Sequence, residues 1–372
     1  MADIFPVHSV GIVTGRDEFA ISTDRDEVEQ RVRSLTDVSI TNPQIKERYL
    51  RNTDSLDLSR IRKRLRESPG TAPVIPCLYR PFDRRWIIYA DLLVERTRRD
   101  VMQHMNAGPN LALVSARTNK SSSPDHFFCS AVPTEAKCGE STTQSYLFPL
   151  FTYPSHQSIM SGLFDAEDRV ANFSESFVSQ LRASLGVSIT DGNAAADTIG
   201  PIDVFNYIYA ILHAPSYRAR FAEFLKIEFP RVPITSDVSV FRELAKRGAE
   251  LVGLHLMAGE HDIGSNVSFP RAGDNVVDPG HPRFVASGNS AGRVYISGSS
   301  SGTGQYFEGV SESVWEFTVG GYRVCEHWLR DRRGRALSYD DITYYQGIVG
   351  SVRRTIDLMS DIDATLGAWP LG

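Results

Sequence analysis

Hydrophobic positions crowd most densely between residues 201 and 235, PIDVFNYIYAILHAPSYRARFAEFLKIEFPRVPIT. Ile202, Val204, Phe205, Tyr207, Ile208, Tyr209, Ile211 and Leu212 predict a helix that is apolar on nearly every side and therefore belongs inside a globule. It is too short and too rich in tyrosine to span a bilayer. Ala214-Pro215 stops it, and Ser216 is placed to cap a second helix in which Tyr217, Phe221, Phe224 and Leu225 recur at helical spacing. The prolines at 230 and 233 then force an extended strap. Next, Thr235-Ser236-Asp237 caps a helix with Phe241, Leu244, Gly248, Leu251 and His255 along one side, where His255 reads as a satisfied core histidine. Ser338 and Asp341 form a capping pair for the last helix. Its seam of Ile342, Tyr345, Val349, Val352, Ile356 and Met359 asks for a partner helix, in this domain or in another subunit.

The N-terminal half mixes both periods. Alternation at Val10, Ile12, Phe19 and Ile21 around Thr14-Gly15-Arg16-Asp17 predicts a hairpin. Helices follow with Val28, Val32 and Leu35, then from Asn42-Pro43, then with Leu58, Ile61 and Leu65 as a buried stripe. Residues 86–89 read as a strand and 92 onward as a helix; 111–115, 126–132 and 146–153 read as strands. Residues 155–200 turn polar apart from a helical patch at 173–185, and DGNAAADTIG is the best linker. Beyond 259, strands at 293–296 and 305–307 flank GSSSGTG, which lacks the Lys-Ser/Thr of a phosphate loop and reads as a hairpin tip. Such tips can enter a DNA groove. A strand at 314–319 and a helix within 322–330 complete the chain. The expected class is mixed α+β (α/β in the broad sense), with mixed sheets in residues 1–155, a polar connection over 156–200, and a helical, hairpin-containing part at 201–372.

Bulk composition narrows the role. The 372 residues suffice for one large or two ordinary domains. A hydrophobic fraction of 41% is ordinary for a globule, and a formal charge of −5 confines any nucleic-acid surface to a local patch. Cys77, Cys129, Cys138 and Cys325 stand far apart with no CxxC pair, so they read as reduced, buried thiols of a cytoplasmic protein. Neither a signal peptide nor a membrane span is expected.

Against that acidic background the cations cluster. Arg60, Arg62, Lys63, Arg64 and Arg66 cover the faces around the 58–65 stripe and are candidates for phosphate contact. Arg80, Arg84 and Arg85, then Arg96, Arg98 and Arg99, form the most arginine-dense stretch, and the helical ones suit phosphates best. The structural alternative there is an Arg80–Asp83 turn. Arg16 beside a glycine, and Arg117 and Lys120 in a polar loop, are further candidates. A competing pattern is Pro124-Asp125 with Glu135-Ala136-Lys137, the PD…ExK spacing of magnesium nucleases. Pro133 argues against a central strand at Glu135, so this reading stands as the alternative.

Several segments resemble the C-terminal specificity region of type ISP restriction-modification enzymes. They are GIVTGRDEF, YRPFDRRWIIY (similar to RPFD-x-RW-x-YY), the FFC and YLFPL strands, HAPSYR with FAEFLKIEFPRVPIT, and QYFEGVSESVWEFTVGGYRVCEHWLRDRRGRALSYDDI. The likeness covers nearly the whole chain. It implies a target-recognition domain that reads a short duplex DNA site and hands it to an adenine-N6 methyltransferase and a nuclease-translocase. The chain has no Gly-x-x-x-x-Gly-Lys-Ser/Thr, no Asn-Pro-Pro-Tyr-type tetrad and no glycine-rich turn for S-adenosylmethionine. Those absences imply that S-adenosylmethionine, ATP and magnesium belong to partner modules, that this chain carries no cofactor, and that it is no enzyme by itself. A non-DNA-binding remnant of a truncated enzyme is the other alternative.

Overall fold

The computed structural model describes the chain except residues 52–54, 121–123, 155–167, 191, 193–197, 259–265, 288–290, 299–303, 368 and 370–372. Most of the expected hairpin tip GSSSGTG and of the DGNAAADTIG linker therefore lies outside the described residues. Strands β1 (Ser9–Val10), β5 (Ala112–Ala116), β6 (Phe127–Ser130) and β7 (Ser145–Pro149) form an antiparallel sheet in the order β1-β7-β5-β6. Leu113 stands opposite Cys129 and Phe148, and Val114 opposite Phe128 and Leu147. Successive side chains leave a strand on opposite faces. Leu113, Phe127, Cys129 and Phe148 thus enter one core, while Ala112, Val114, Phe128 and Leu147 enter another. The sheet is the wall between two cores, which is why its strands read as unbroken apolar runs.

Helices α7 (Pro201–His213) and α10 (Val238–His255) fill the first core. Pro201 opens α7, and only its first turn reaches water. The buried tyrosines find partners for their hydroxyls: Tyr207 donates to the Pro233 carbonyl at 2.8 Å, and Tyr209 bonds His255 Nδ1 at 2.5 Å. Thr355 takes the other ring nitrogen of His255 at 3.0 Å, and burial pushes that ring's pKa down to about 3. His255 is the satisfied core histidine its sequence position suggests. Asp237 caps α10 by accepting from the backbone of Ser239 and Val240.

The second core takes the hairpin of β3 (Val74–Arg80) and β4 (Asp83–Ile88), to which β2 (Ile21–Ser22) is added. It also takes the sheet of β12 (Arg283–Val285), β13 (Gly292–Tyr295) and β14 (Tyr306–Val310), with α11 (Glu312–Trp315) and α12 (Val324–Arg330). Between them in sequence lie α6 (Glu175–Leu185) and two short strand pairs, β8 (Phe151–Thr152) with β9 (Val170–Ala171) and β10 (Ser188–Ile189) with β11 (Thr198–Ile199). Helix α13 (Tyr339–Leu366), opened by the Ser338–Asp341 capping box, runs through both cores. Its Tyr345, Val349 and Val352 lie in the second, its Leu358, Ile362 and Leu366 in the first. The seam is met within this chain, in the second core, where the Tyr345 ring lies 4.4 Å from Phe307 of β14 and 5.5 Å from Trp328 of α12. Helix α10 packs on another face of α13, through His255–Thr355 and the rim pairs Arg354–Glu250 and Arg247–Asp361. A third core joins α1 (Asp17–Ala20), α2 (Arg25–Thr36), α3 (Asn42–Tyr49) and α4 (Leu58–Glu67) to the back of β4.

Several expectations need correction. Val10 and Ile21 do not share a hairpin: Val10 pairs with β7, Ile21 with β4, and α1 lies between them. Helix α5 (Arg99–Asn106) begins at Arg99, not near 92, because residues 90–98 form turns bridged to Val13. The 314–319 strand is instead α11, capped by Ser311, followed by β15 (Thr318–Val319), which pairs with β16 (Tyr322–Arg323). Pro215 starts helix α8 (Pro215–Arg220), and Ser216 holds the Asp363 carboxylate instead of capping. After α8, α9 (Ala222–Leu225) leaves Phe224 68% exposed, off the buried side. Finally, the first two cores draw on both sides of residues 156–200, so that segment does not divide the hydrophobic interior. All four cysteines are free and buried, and among the described residues no helix is long and apolar enough to cross a membrane.

Helices α7 and α10 meet backbone to backbone at Gly248, where an added Cβ would lie 1.9 Å from the Asn206 carbonyl oxygen. Gly253, on the same helix, faces open space. Gly248→Ala should therefore cost about 1–3 kcal/mol through forced separation of the helices. Gly253→Ala should instead gain up to about 1 kcal/mol of helix propensity. Urea midpoints of the two variants should move in opposite directions; a shared direction would contradict the close approach.

Candidate nucleic-acid interface

Helix α4 carries the basic face foreseen in the sequence, with one change. Asp57 caps it by accepting from Arg60 N. Leu58, Ile61 and Leu65 are buried, and so is Arg62, because positions 58, 61, 62 and 65 are one helical stripe. The Arg62 guanidinium donates to Leu35 O at 2.9 Å, Asn42 Oδ1 at 2.6 Å and Asp37 O at 2.5 Å. It ties α4 to the end of α2 and the start of α3, and it does not face a phosphate. Arg60, Lys63, Arg64 and Arg66 are exposed, with Glu67 standing 3.8 Å from Lys63. These four cations present one sign to solvent.

Beyond α4 the chain passes Gly70 and Thr71, which form one wall of a cleft of about 510 Å³. Arg99, at the start of α5 (Arg99–Asn106), stands on the other wall. The fold thus brings the turn that follows the basic helix and one of the three downstream arginines to the same cleft. Arg96 is exposed nearby, whereas Arg98 is half-buried in a left-handed conformation with φ 54° at the helix start.

The remaining arginines go elsewhere. Arg80 does not pair with Asp83; it donates to Glu135 at 2.7 Å. Asp83 is held instead by Arg85 at 2.6 Å and by Arg332 at 3.0 Å, and Arg85 also reaches Asp331 at 2.8 Å. Burial pushes the Asp83 carboxyl upward, but Arg85 and Arg332 together outweigh it and hold its pKa below the usual range. Both guanidinium carbons of Arg80 and Arg85 lie 3.9 Å from the Tyr79 ring centroid. The YRPFDRRW segment is thereby an architectural ion network, and Arg85 is not available to DNA. Arg84 is exposed and donates to Leu256 O at 3.0 Å. Arg117 meets Glu228 at 3.4 Å, and Lys120 reaches Thr142 O at 3.4 Å, at a separate corner. Arg16 lines another cleft with Arg51 and Tyr79.

The PD…ExK residues are brought into other contacts. Glu135 is buried against Arg80 and also accepts from Lys137 N, while the Lys137 side chain is exposed. Asp125 accepts from the Thr318 hydroxyl, and burial pushes its carboxyl upward against that bond. Among the described residues no group of three or more His, Cys, Asp or Glu side chains could hold a metal ion. The sequence reading missed Arg332 and Glu135 as the partners of the arginine motif. They are 249 and 55 residues away from Asp83 and Arg80, beyond any local signal.

A family model described as the Type ISP C-terminal specificity domain matches residues 3–361. No curated protein matches the chain at a significant level. Among solved structures, the ATP-dependent Type ISP restriction-modification enzyme LlaBIII bound to DNA is similar with TM-score 0.68 and 17% identity, over 99% of this chain and 24% of that one. A nuclease-deletion mutant of the Type ISP enzyme LlaGI with a DNA substrate mimic gives 0.62 and 17%, over 96% and 28%. A DrdV–DNA complex gives 0.66 and 17%, over 96% and 36%. At that identity the likeness is one of fold, and the chain spans about a quarter to a third of the length of these enzymes.

Substitution separates the two kinds of cation on α4. Arg62→Ala removes a charged donor from three buried or half-buried oxygens and should cost roughly 1.5–3 kcal/mol or more. Arg64→Ala, on the exposed face, should stay within about 0.5 kcal/mol of the parent. Chemical denaturation of both variants reads the difference directly, and equal stabilities would refute the buried role of Arg62.

Proposed function

The chain belongs to the Type ISP C-terminal specificity domain family, and from that membership we propose that it recognises a short duplex DNA site for a restriction-modification system. The family match over residues 3–361 carries this reading. In it, the chain positions an adenine-N6 methyltransferase, and with it a nuclease-translocase, supplied by other modules. S-adenosylmethionine, ATP and magnesium act on those modules, and the chain alone performs no chemistry. The complexes of LlaBIII, LlaGI and DrdV with DNA support the choice of ligand. So does the exposed cationic face of α4 on a chain of formal charge −5. The engagement of Glu135 by Arg80 and of Asp125 by Thr318 speaks against these carboxylates as a nuclease centre.

Phosphate contacts fix register, whereas base contacts choose the site. Methylation also needs a pocket that receives the flipped base, and that pocket is assigned to the partner. Labelled methyl incorporation into DNA should be absent with the chain alone and site-specific once a matching methyltransferase module is added. Methylation by the isolated chain would overturn the reading, as would a partner that modifies the same site equally well without it. In binding assays, Arg64→Ala and Arg66→Ala should each lower the magnitude of the log-affinity against log-salt slope by about one unit, equally for all sequences.

A further inference from the structure

Helix α5 has two distinct faces. Val101, Met102, His104 and Met105 are buried, and His104 Nδ1 accepts from Tyr153 N at 3.1 Å, so the helix cannot roll. On the other side Arg99, Gln103 and Asn106, at i, i+4 and i+7, form one exposed stripe along the cleft. Arg99 is held in place: its Nε donates to Asp91 Oδ2 at 2.8 Å, and Asp91 is itself fixed by the Thr97 hydroxyl. That pair uses one of the five donors of the guanidinium. Tyr89 lines the same cleft, and its buried hydroxyl has no hydrogen-bond partner.

These three residue types are the ones whose side chains make paired hydrogen bonds to base edges. Arginine matches the O6 and N7 acceptors of guanine, and glutamine or asparagine matches N6 and N7 of adenine. An eight-residue helix is about 12 Å long, comparable with a major groove about 12 Å wide. Asp100, exposed in the first turn of α5, repels phosphate. The DNA backbone is therefore placed on the other wall of the cleft, where Gly70 and Thr71 lead back to Arg64 and Arg66.

We propose that α5 reads base edges in the major groove through Arg99, Gln103 and Asn106 while the exposed cations of α4 hold the neighbouring phosphates. The inference rests on the DNA-recognition reading above and names the residues that choose the site. The test is selection from a random duplex library by the purified full chain, followed by affinities for the selected site and its single-base variants. Gln103→Ala and Asn106→Ala should each relax discrimination at one base position by about 5- to 150-fold, with the salt slope unchanged. Arg64→Ala should weaken all sequences alike. Because Gln103 and Asn106 are exposed, unaltered unfolding midpoints exclude a folding artefact. If the parent selects a site and both variants keep its full base preference, the assignment to α5 is wrong while the DNA-recognition reading stands. If the parent selects no sequence at all, the recognition reading fails and takes this inference with it.

Discussion

The buried carboxylate of Asp83 is the point on which the architecture turns. It sits in the strand that follows the RPF turn, and two guanidinium groups, one from two residues away and one from 249 residues away, converge on it. A carboxylate taken out of water survives as an ion only if it is paired and hydrogen-bonded well. Arg85 supplies one partner from the same hairpin, and Arg332 supplies the other from just after α12. Arg332 is in turn clamped by the Trp328 ring, 3.5 Å from its guanidinium carbon. Removing one member of such a cluster leaves an uncompensated charge, a loss of roughly 3–5 kcal/mol. The arginine-dense segment thus joins the early hairpin to the C-terminal helices.

The second organising element is the sheet that separates the two cores. Both of its faces are covered, and α13 crosses from one core to the other. The Gly248 contact brings α10 against α7 without intervening side chains. The apolar stripe of α4 is fixed in the third core and that of α5 in the second, so their polar sides are presented at fixed angles. A recognition surface needs such rigidity, because hydrogen bonds to base edges depend on direction as well as distance.

Features governed by local chemistry were legible in the sequence. The buried helix at 201–213, the Asp237 and Ser338 caps, the β4 strand and the core role of His255 all follow from spacing and residue type. Other outcomes depend on tertiary competition. Val-Trp-Glu-Phe-Thr-Val has strong strand propensity, yet Ser311 caps a helical turn there and Trp315 stacks on Phe284 at 5.6 Å. Alternation around Gly15 resembles a hairpin, but each flank finds a better partner strand elsewhere. The candidate DNA surface was half legible. Charge run and stripe identify α4, and strict helical spacing would also have shown that Arg62 lies among Leu58, Ile61 and Leu65. The same rule applies in α2, where Arg31 falls on the stripe of Val28 and Leu35 and donates to Phe19 O and Ile21 O.

Arg62 has a metrical consequence for α4. By fixing the rotation of the helix about its own axis, it turns the outward cations into marks on a ruler. Arg60 and Arg64 are separated by about 6 Å of axial rise. A large rotation of α4 would take Arg62 off its three acceptors and swing these cations away from the solvent side. The arginine that faces inward thus calibrates the ones that face out.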